Sequence, residues 1–194
     1  MKGGGLVSER DSLRTDWRTA GPPGGLEIVR FLCDFRSGTR PRIVAAIAAA
    51  NRKDVMRPGT IPGGYGDGSV FTTLAHVVDV EDSWLARIQG EPDPAWPNPE
   101  RYPDIEATAA IWEQVSERWR AFLDGPSGAQ LLIPVGLGEG TIPAWAIVLH
   151  TFNHSTHHRA EIWAALTSFG EHPPELEVLD FVFDAGQFIG GERE

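Results

Sequence analysis

Between Thr141 and Gly170 only Arg159 and Glu161 carry a formal charge, while four histidines crowd into His150–His158. A surface helix needs a solvated face dotted with Lys, Arg, Glu and Asp. A helical segment this poor in charge therefore predicts a helix with little solvated surface. Trp145, Val148, Leu149, Phe152, Trp163 and Leu166 fall on one apolar stripe. The histidines lie on the other side, with Ile147 and Ala165. His150, His154 and His158 recur every four residues and so stack along one face, with His157 about a quarter-turn off it. Imidazoles one turn apart can converge on a single cation. The competing reading is a set of hydrated or hydrogen-bonded imidazoles with no ion between them.

The rest of the chain reads as further helices. Residues 1–25, with Gly3-Gly4-Gly5 and G-P-P-G-G at 21–25, read as a loosely ordered arm before one domain over 26–190. A helical pattern runs from Leu26 to about Asn51, where Gly38 and Pro41 predict either a kink or two shorter helices. Pro58–Gly68 reads as loop, and its G-G-Y-G-D-G run lacks the Lys and strand context of a phosphate loop, so it reads as a flexible connector.

A second helix fits Ser69–Gln89, with Ser69 as N-cap and Gly90 as the stop. The proline-rich Pro92–Pro103 reads as a rigid connector, and a third helix fits Asp104–Asp124. Leu131–Val135 and Gly140–Ile142 suit a short hairpin before Pro143 opens the histidine helix. A last amphipathic piece, Leu176–Phe188, would cap the assembly. The expected fold is all-α: an antiparallel four-helix bundle with a short β-hairpin before the last long helix and a C-terminal capping helix.

Composition narrows the function classes. A formal charge of −10 and a pI near 5.0, with no local basic cluster, disfavour nucleic-acid partners. The longest apolar run, Ile43–Ala50, is too short to span a bilayer, so no membrane partner is expected. The N-terminal residues lack the apolar core of a signal peptide, which makes the cytoplasm the expected location. One cysteine, Cys33, rules out an intrachain disulfide framework and reads as a packing residue.

Bundles build metal and ligand sites from facing helices, so a further ligand should come from another helix. His76, in L-A-H-V-V-D-V-E-D-S-W-L, is the one histidine placed to supply it; by periodicity alone it is a boundary residue that is either structural or a ligand. His172, in G-E-H-P-P, reads as a loop residue. Together, L-A-H-V-V-D-V-E-D-S-W-L and the downstream F-N-H-S-T-H-H-R-A-E-I resemble the DinB/YfiT-like superfamily of metal-binding helix bundles over roughly Leu26–Phe188. The resemblance implies that His76, His154 and His158 hold one divalent metal, with positions left for water or substrate. Ala160 and Glu161 stand where that pattern usually has Gly and Gln. Glu161, Asp79 and Asn153 are the candidates for orienting the ligands from behind.

Three neutral nitrogens with open positions are the pattern of a catalytic rather than a closed structural site. Zinc and nickel both suit imidazole. By analogy with members of the superfamily, the expected function is a metal-dependent enzyme that activates a low-molecular-weight thiol or water towards a small electrophilic substrate, as a thiol transferase or hydrolase-like protein. The alternative is a non-catalytic, stress-related metal-binding bundle. A homodimer is compatible with the resemblance. Trp84, Trp96 and Trp112 either line an apolar pocket over the metal or simply pack.

Overall fold

The computed structural model describes residues 25–92, 94, 99–125 and 131–184. Of the arm expected over residues 1–25, Gly25 opens the first helix, and residues 1–24, Trp96 and the chain after Asp184 lie outside the described residues. The first long helix, α1 (Gly25–Ala49), runs unbroken through Gly38 and Pro41. Gly38 has a packing reason: a Cβ there would sit 2.7 Å from the ring of Phe181, so only a glycine lets that ring close on the helix. Pro41 has no N–H, and just before it the Thr39 hydroxyl donates to the Phe35 carbonyl at 2.8 Å. After α1, Asn51 caps a single turn, α2 (Arg52–Val55).

The two middle helices start and stop where capping chemistry dictates. Ser69 accepts from the Thr72 N–H at 3.1 Å to begin α3 (Val70–Gln89), and Gly90, at φ 70°, ends it. Asp104 accepts from the Ala107 N–H at 2.8 Å to begin α4 (Ile105–Asp124). A 3₁₀ turn, Pro99–Arg101, precedes it. The hairpin forms three residues later in its first arm than the sequence suggests: β1 (Pro134–Leu137) pairs antiparallel with β2 (Gly140–Pro143), Val135 opposite Ile142. Val135 is the buried residue of that arm and sets which face turns inward. Then come α5 (Ala144–Ser168) and the short α6 (Val178–Asp184).

The four long helices form an all-α bundle in which each packs on two others: α1 on α4 and α5, and α3 on α4 and α5. Side-chain pairs give the directions. Arg30 meets the Leu123 carbonyl and Arg40 pairs with Glu113, so α1 runs against α4. His76 meets His154 and His158 while Trp84 meets His150, so α3 runs against α5. Thr39 with Arg159, and Arg36 over Phe152, make α1 and α5 run the same way. The core is one cluster to which every long helix contributes, including the fully buried Ile43, Leu74, Trp112 and Leu166.

That core also holds charge. Asp79, Glu81 and Asp82 on α3 are all buried. Glu81 is paired with the equally buried Arg36 and accepts from the Trp112 Nε1–H at 2.8 Å. Asp82 is held by Arg101 and Arg118. Arg159 is buried too, donates to the Thr39 hydroxyl, and burial pulls its pKa down to about 10. Cys33 is a packing residue, its thiol pushed up in pKa mainly by burial.

The histidine helix is more solvated than its composition suggests. Its buried face is centred on Ile147, Thr151, Ser155, Ile162 and Leu166, whereas Trp145, Leu149 and Trp163 are only half-buried. The two small hydroxyl residues are fully buried there, and Thr151 returns its hydroxyl hydrogen bond to the Ile147 carbonyl at 2.8 Å. His150, Asn153, Thr156, His157 and Ala160 make an exposed face that carries almost no charge.

Candidate metal centre

His76 is set by α3, a helix fixed by its Ser69 cap at one end and by Leu74, Val77 and Val78 in the core. His154 and His158 sit one turn apart on α5, on the shoulder beside the buried Ser155 and Ile162. Because α3 and α5 pack directly, the three imidazoles meet between them, all half-buried. His154 Nε2 lies 3.2 Å from His76 Nε2 and 3.1 Å from His158 Nε2. The rings do not stack on one another: His76 stands at 67° to His154 and 81° to His158, and those two stand at 71° to each other. The three donor atoms thus come together while the planes splay apart.

This spacing is compatible with one metal ion shared by the three rings. Nitrogens about 2.0–2.1 Å from a tetrahedral ion are roughly 3.3 Å from each other. Electrostatics act in the same direction. Burial, then the neighbouring His154 and His158, push the His76 pKa down to about 3. Burial, then His158, His150 and His157, push His154 down to about 4, against an opposing pull from Glu161. At neutral pH both rings keep a free lone pair, the form a metal needs. The three rings could hold one metal ion.

Glu161 reaches this cluster from one turn further along α5. Its Oε2 is 2.7 Å from His158 Nδ1 and its Oε1 is 3.1 Å from His157 Nε2. The carboxylate accepts the Nδ1–H of His158, which leaves the lone pair of that ring on Nε2, facing the other two histidines.

The other sequence candidates do not join them. Asp79 accepts from the Tyr102 hydroxyl and lies 3.8 Å from Arg101, so its carboxylate is engaged by the segment before α4. Its pKa is raised, chiefly by burial. Asn153 is exposed. His150 is exposed with its ring edge-on to Trp84, centroids 5.7 Å apart, and His157 touches the cluster only through Glu161 and the side of the His158 ring. His172 is exposed after the helix stop. Trp112 is fully buried and hydrogen-bonded to Glu81, so it is core rather than pocket wall. Trp84 is half-buried with Arg87 over its ring.

One neighbour escaped the sequence reading. Tyr65, from the glycine run read as a flexible connector, lies flat on His76, ring centroids 3.9 Å apart and planes within 8°. Two signals in the sequence pointed to an ordered turn there. Gly63, Gly66 and Gly68 supply left-handed backbone angles, and Asp67-Gly68-Ser69 places capping oxygens just before a helix.

None of the helices among the described residues is long and apolar enough to cross a membrane. No curated protein matches the chain. The DinB family model matches residues 41–193, which include every long helix after the first and all three clustered histidines. The helical bundle, the histidine cluster between α3 and α5, and that match agree: the chain belongs to the DinB family.

Proposed function

We propose that His76, His154 and His158 hold one divalent ion, zinc or nickel, and that the protein is a metal-dependent enzyme acting on a small electrophile. Three neutral imidazoles leave positions free on such an ion, which when bound lowers the pKa of a water or low-molecular-weight thiol enough to make it a nucleophile near neutral pH. The observation that carries this reading is that His154 Nε2 lies 3.2 Å from His76 Nε2 and 3.1 Å from His158 Nε2, with one donor atom from each of the three rings within 4.8 Å of the others. The protein's own part is to keep those lone pairs converged. Glu161 holds the His158 proton on Nδ1, and burial keeps His76 and His154 unprotonated. The acidic surface favours a small molecule over nucleic acid as the partner.

Tag-free protein should contain about one equivalent of metal by elemental analysis. His154→Ala should lose it, since that ring lies between the other two. Chelator-sensitive conjugation of a thiol to an epoxide or haloarene, or chelator-sensitive hydrolysis, would support catalysis. Metal binding without turnover across such a panel would favour the non-catalytic reading, for which there is one specific observation. Glu161, the carboxylate nearest the cluster among the described residues, is already engaged by two imidazoles and is not free as a base.

A further inference from the structure

His158 is braced by Glu161, His154 lies between the two other rings, and His76 carries a stacked ring from the loop before α3. An imidazole turns about its last side-chain bond with little resistance, and a ring rotated out of plane no longer aims Nε2 at a shared ion. The one aromatic surface lying flat on His76 among the described residues is Tyr65.

The loop that carries Tyr65 is built rather than slack. The Gly59 N–H donates to the Asp67 carbonyl and the Ile61 N–H to the Gly68 carbonyl, each at 2.8 Å. Gly63, Gly66 and Gly68 have φ between 61° and 71°, a region where other residues are strained. A Cβ on Gly68 would also lie 2.9 Å from the Ile61 carbonyl oxygen, so that position takes only glycine. The Tyr65 carbonyl accepts from the Gly68 N–H at 2.9 Å and from the Thr72 hydroxyl at 3.2 Å. Asp67 accepts from the same hydroxyl at 2.7 Å and from the Ser69 N–H at 2.9 Å. Thr72 is one turn before His76 on α3. The loop that carries Tyr65 is therefore tied, through the Thr72 hydroxyl and the Asp67 carboxylate, to the turn of α3 just before His76.

We propose that Tyr65 is a positioning residue: its ring, held by the 59–68 loop, fixes the plane of His76 so that Nε2 points at the metal. The inference rests on the metal-binding reading above and adds a ligand-orienting aromatic from a loop outside the histidine motifs. The stack needs a flat face and not the hydroxyl, so Tyr65→Phe should leave the function of the clamp intact.

The test uses the full chain loaded with zinc, in competition with a chromophoric chelator, and with cobalt(II), whose visible absorption reports ligand geometry. Tyr65→Phe should bind within about twofold of wild type, with the same cobalt band. Tyr65→Ala should bind roughly 10- to 100-fold more weakly, with a shifted or weakened band. Tyr65→Leu, which keeps apolar bulk without the flat face, should behave like the alanine variant; it stands in for it if the alanine protein does not fold. Wild-type binding with Tyr65→Leu unchanged in affinity and spectrum overturns the clamp and leaves the metal site standing. A wild-type protein that takes up no metal overturns both.

Discussion

Glu161 stands where the DinB-like motif usually carries Gln, and in this chain it faces two imidazoles at once. A carboxylate accepts from His158 more strongly than an amide does and makes that ring a better donor to a metal. Glu161→Gln should accordingly weaken zinc about 10- to 100-fold, read by chelator competition, with the apo fold unchanged by circular dichroism. An affinity equal to wild type would mean that the bond to His158 is incidental.

The depressed histidines make a second prediction at this scale. In the unfolded chain His76 and His154 take up protons from about pH 6.5 downwards. In the folded protein they do so only near pH 3 and pH 4. Their contribution to the stability of the metal-free protein is therefore complete above pH 6.5 and is lost as the pH falls, down to about 4 for His154 and about 3 for His76. The loss by pH 5 should be on the order of 2 kcal/mol, after discounting for rings that are only half-buried. Urea midpoints between pH 7 and pH 5 measure it, and His76→Ala should flatten the slope. His154 and His158 were legible because a four-residue spacing survives in any helix. His76 was not settled by periodicity, since its place at the stripe's edge suits structure and ligation alike, and Tyr65 was invisible because its contact depends on a turn of irregular backbone angles.

Elements were legible where short-range chemistry defines them and less so where packing does. Ser69, Gly90 and Asp104 mark helix ends by hydrogen bonds within a turn, and the structure places those ends where the residues predict. Gly38 and Pro41 carry the signature of a helix break, yet α1 continues, because Gly38 answers to Phe181 from an element 143 residues away. No local rule contains that contact. The acidic run Asp79–Asp82 shows the same limit. On a surface helix it would be a solvated face, but in α3 it is buried, and each carboxylate meets a partner from another part of the chain: Tyr102 and Arg101, Arg36, or Arg101 and Arg118. Glu81 is the extreme case, wholly buried against Arg36, with Arg159 close enough to feel its charge. Glu81→Gln keeps the shape and removes the charge, leaving two buried guanidinium groups without the carboxylate that faces them among the described residues. It should cost about 3–5 kcal/mol in chemical denaturation. A loss below about 1 kcal/mol, the value for an exposed pair, would show that water reaches this network.

At the scale of the whole molecule, the histidine cluster joins two helices far apart in sequence. His76 and His154 are 78 positions apart, and the antiparallel packing of α3 on α5 is what sets their Nε2 atoms 3.2 Å from each other. An ion held there binds the folded bundle and has no equivalent site in the unfolded chain, so its binding free energy appears as folding stability. At a free metal concentration 100-fold above Kd the gain is about 2.7 kcal/mol. For a chain of this size, each kcal/mol moves the thermal midpoint by about 2–4 °C, which gives a rise of roughly 5–10 °C on adding zinc. The same rise should appear in His150→Ala, whose ring is exposed and outside the cluster. It should vanish in His154→Ala, while the metal-free midpoint of that variant stays near wild type, because His154 is only half-buried and the neighbouring core is carried by Ser155, Phe152 and Ile162. Scanning calorimetry of the three proteins with and without zinc separates these outcomes. An equal zinc-dependent rise in His154→Ala would place the ion elsewhere, with His157, His158 and Glu161 the next donor set to test.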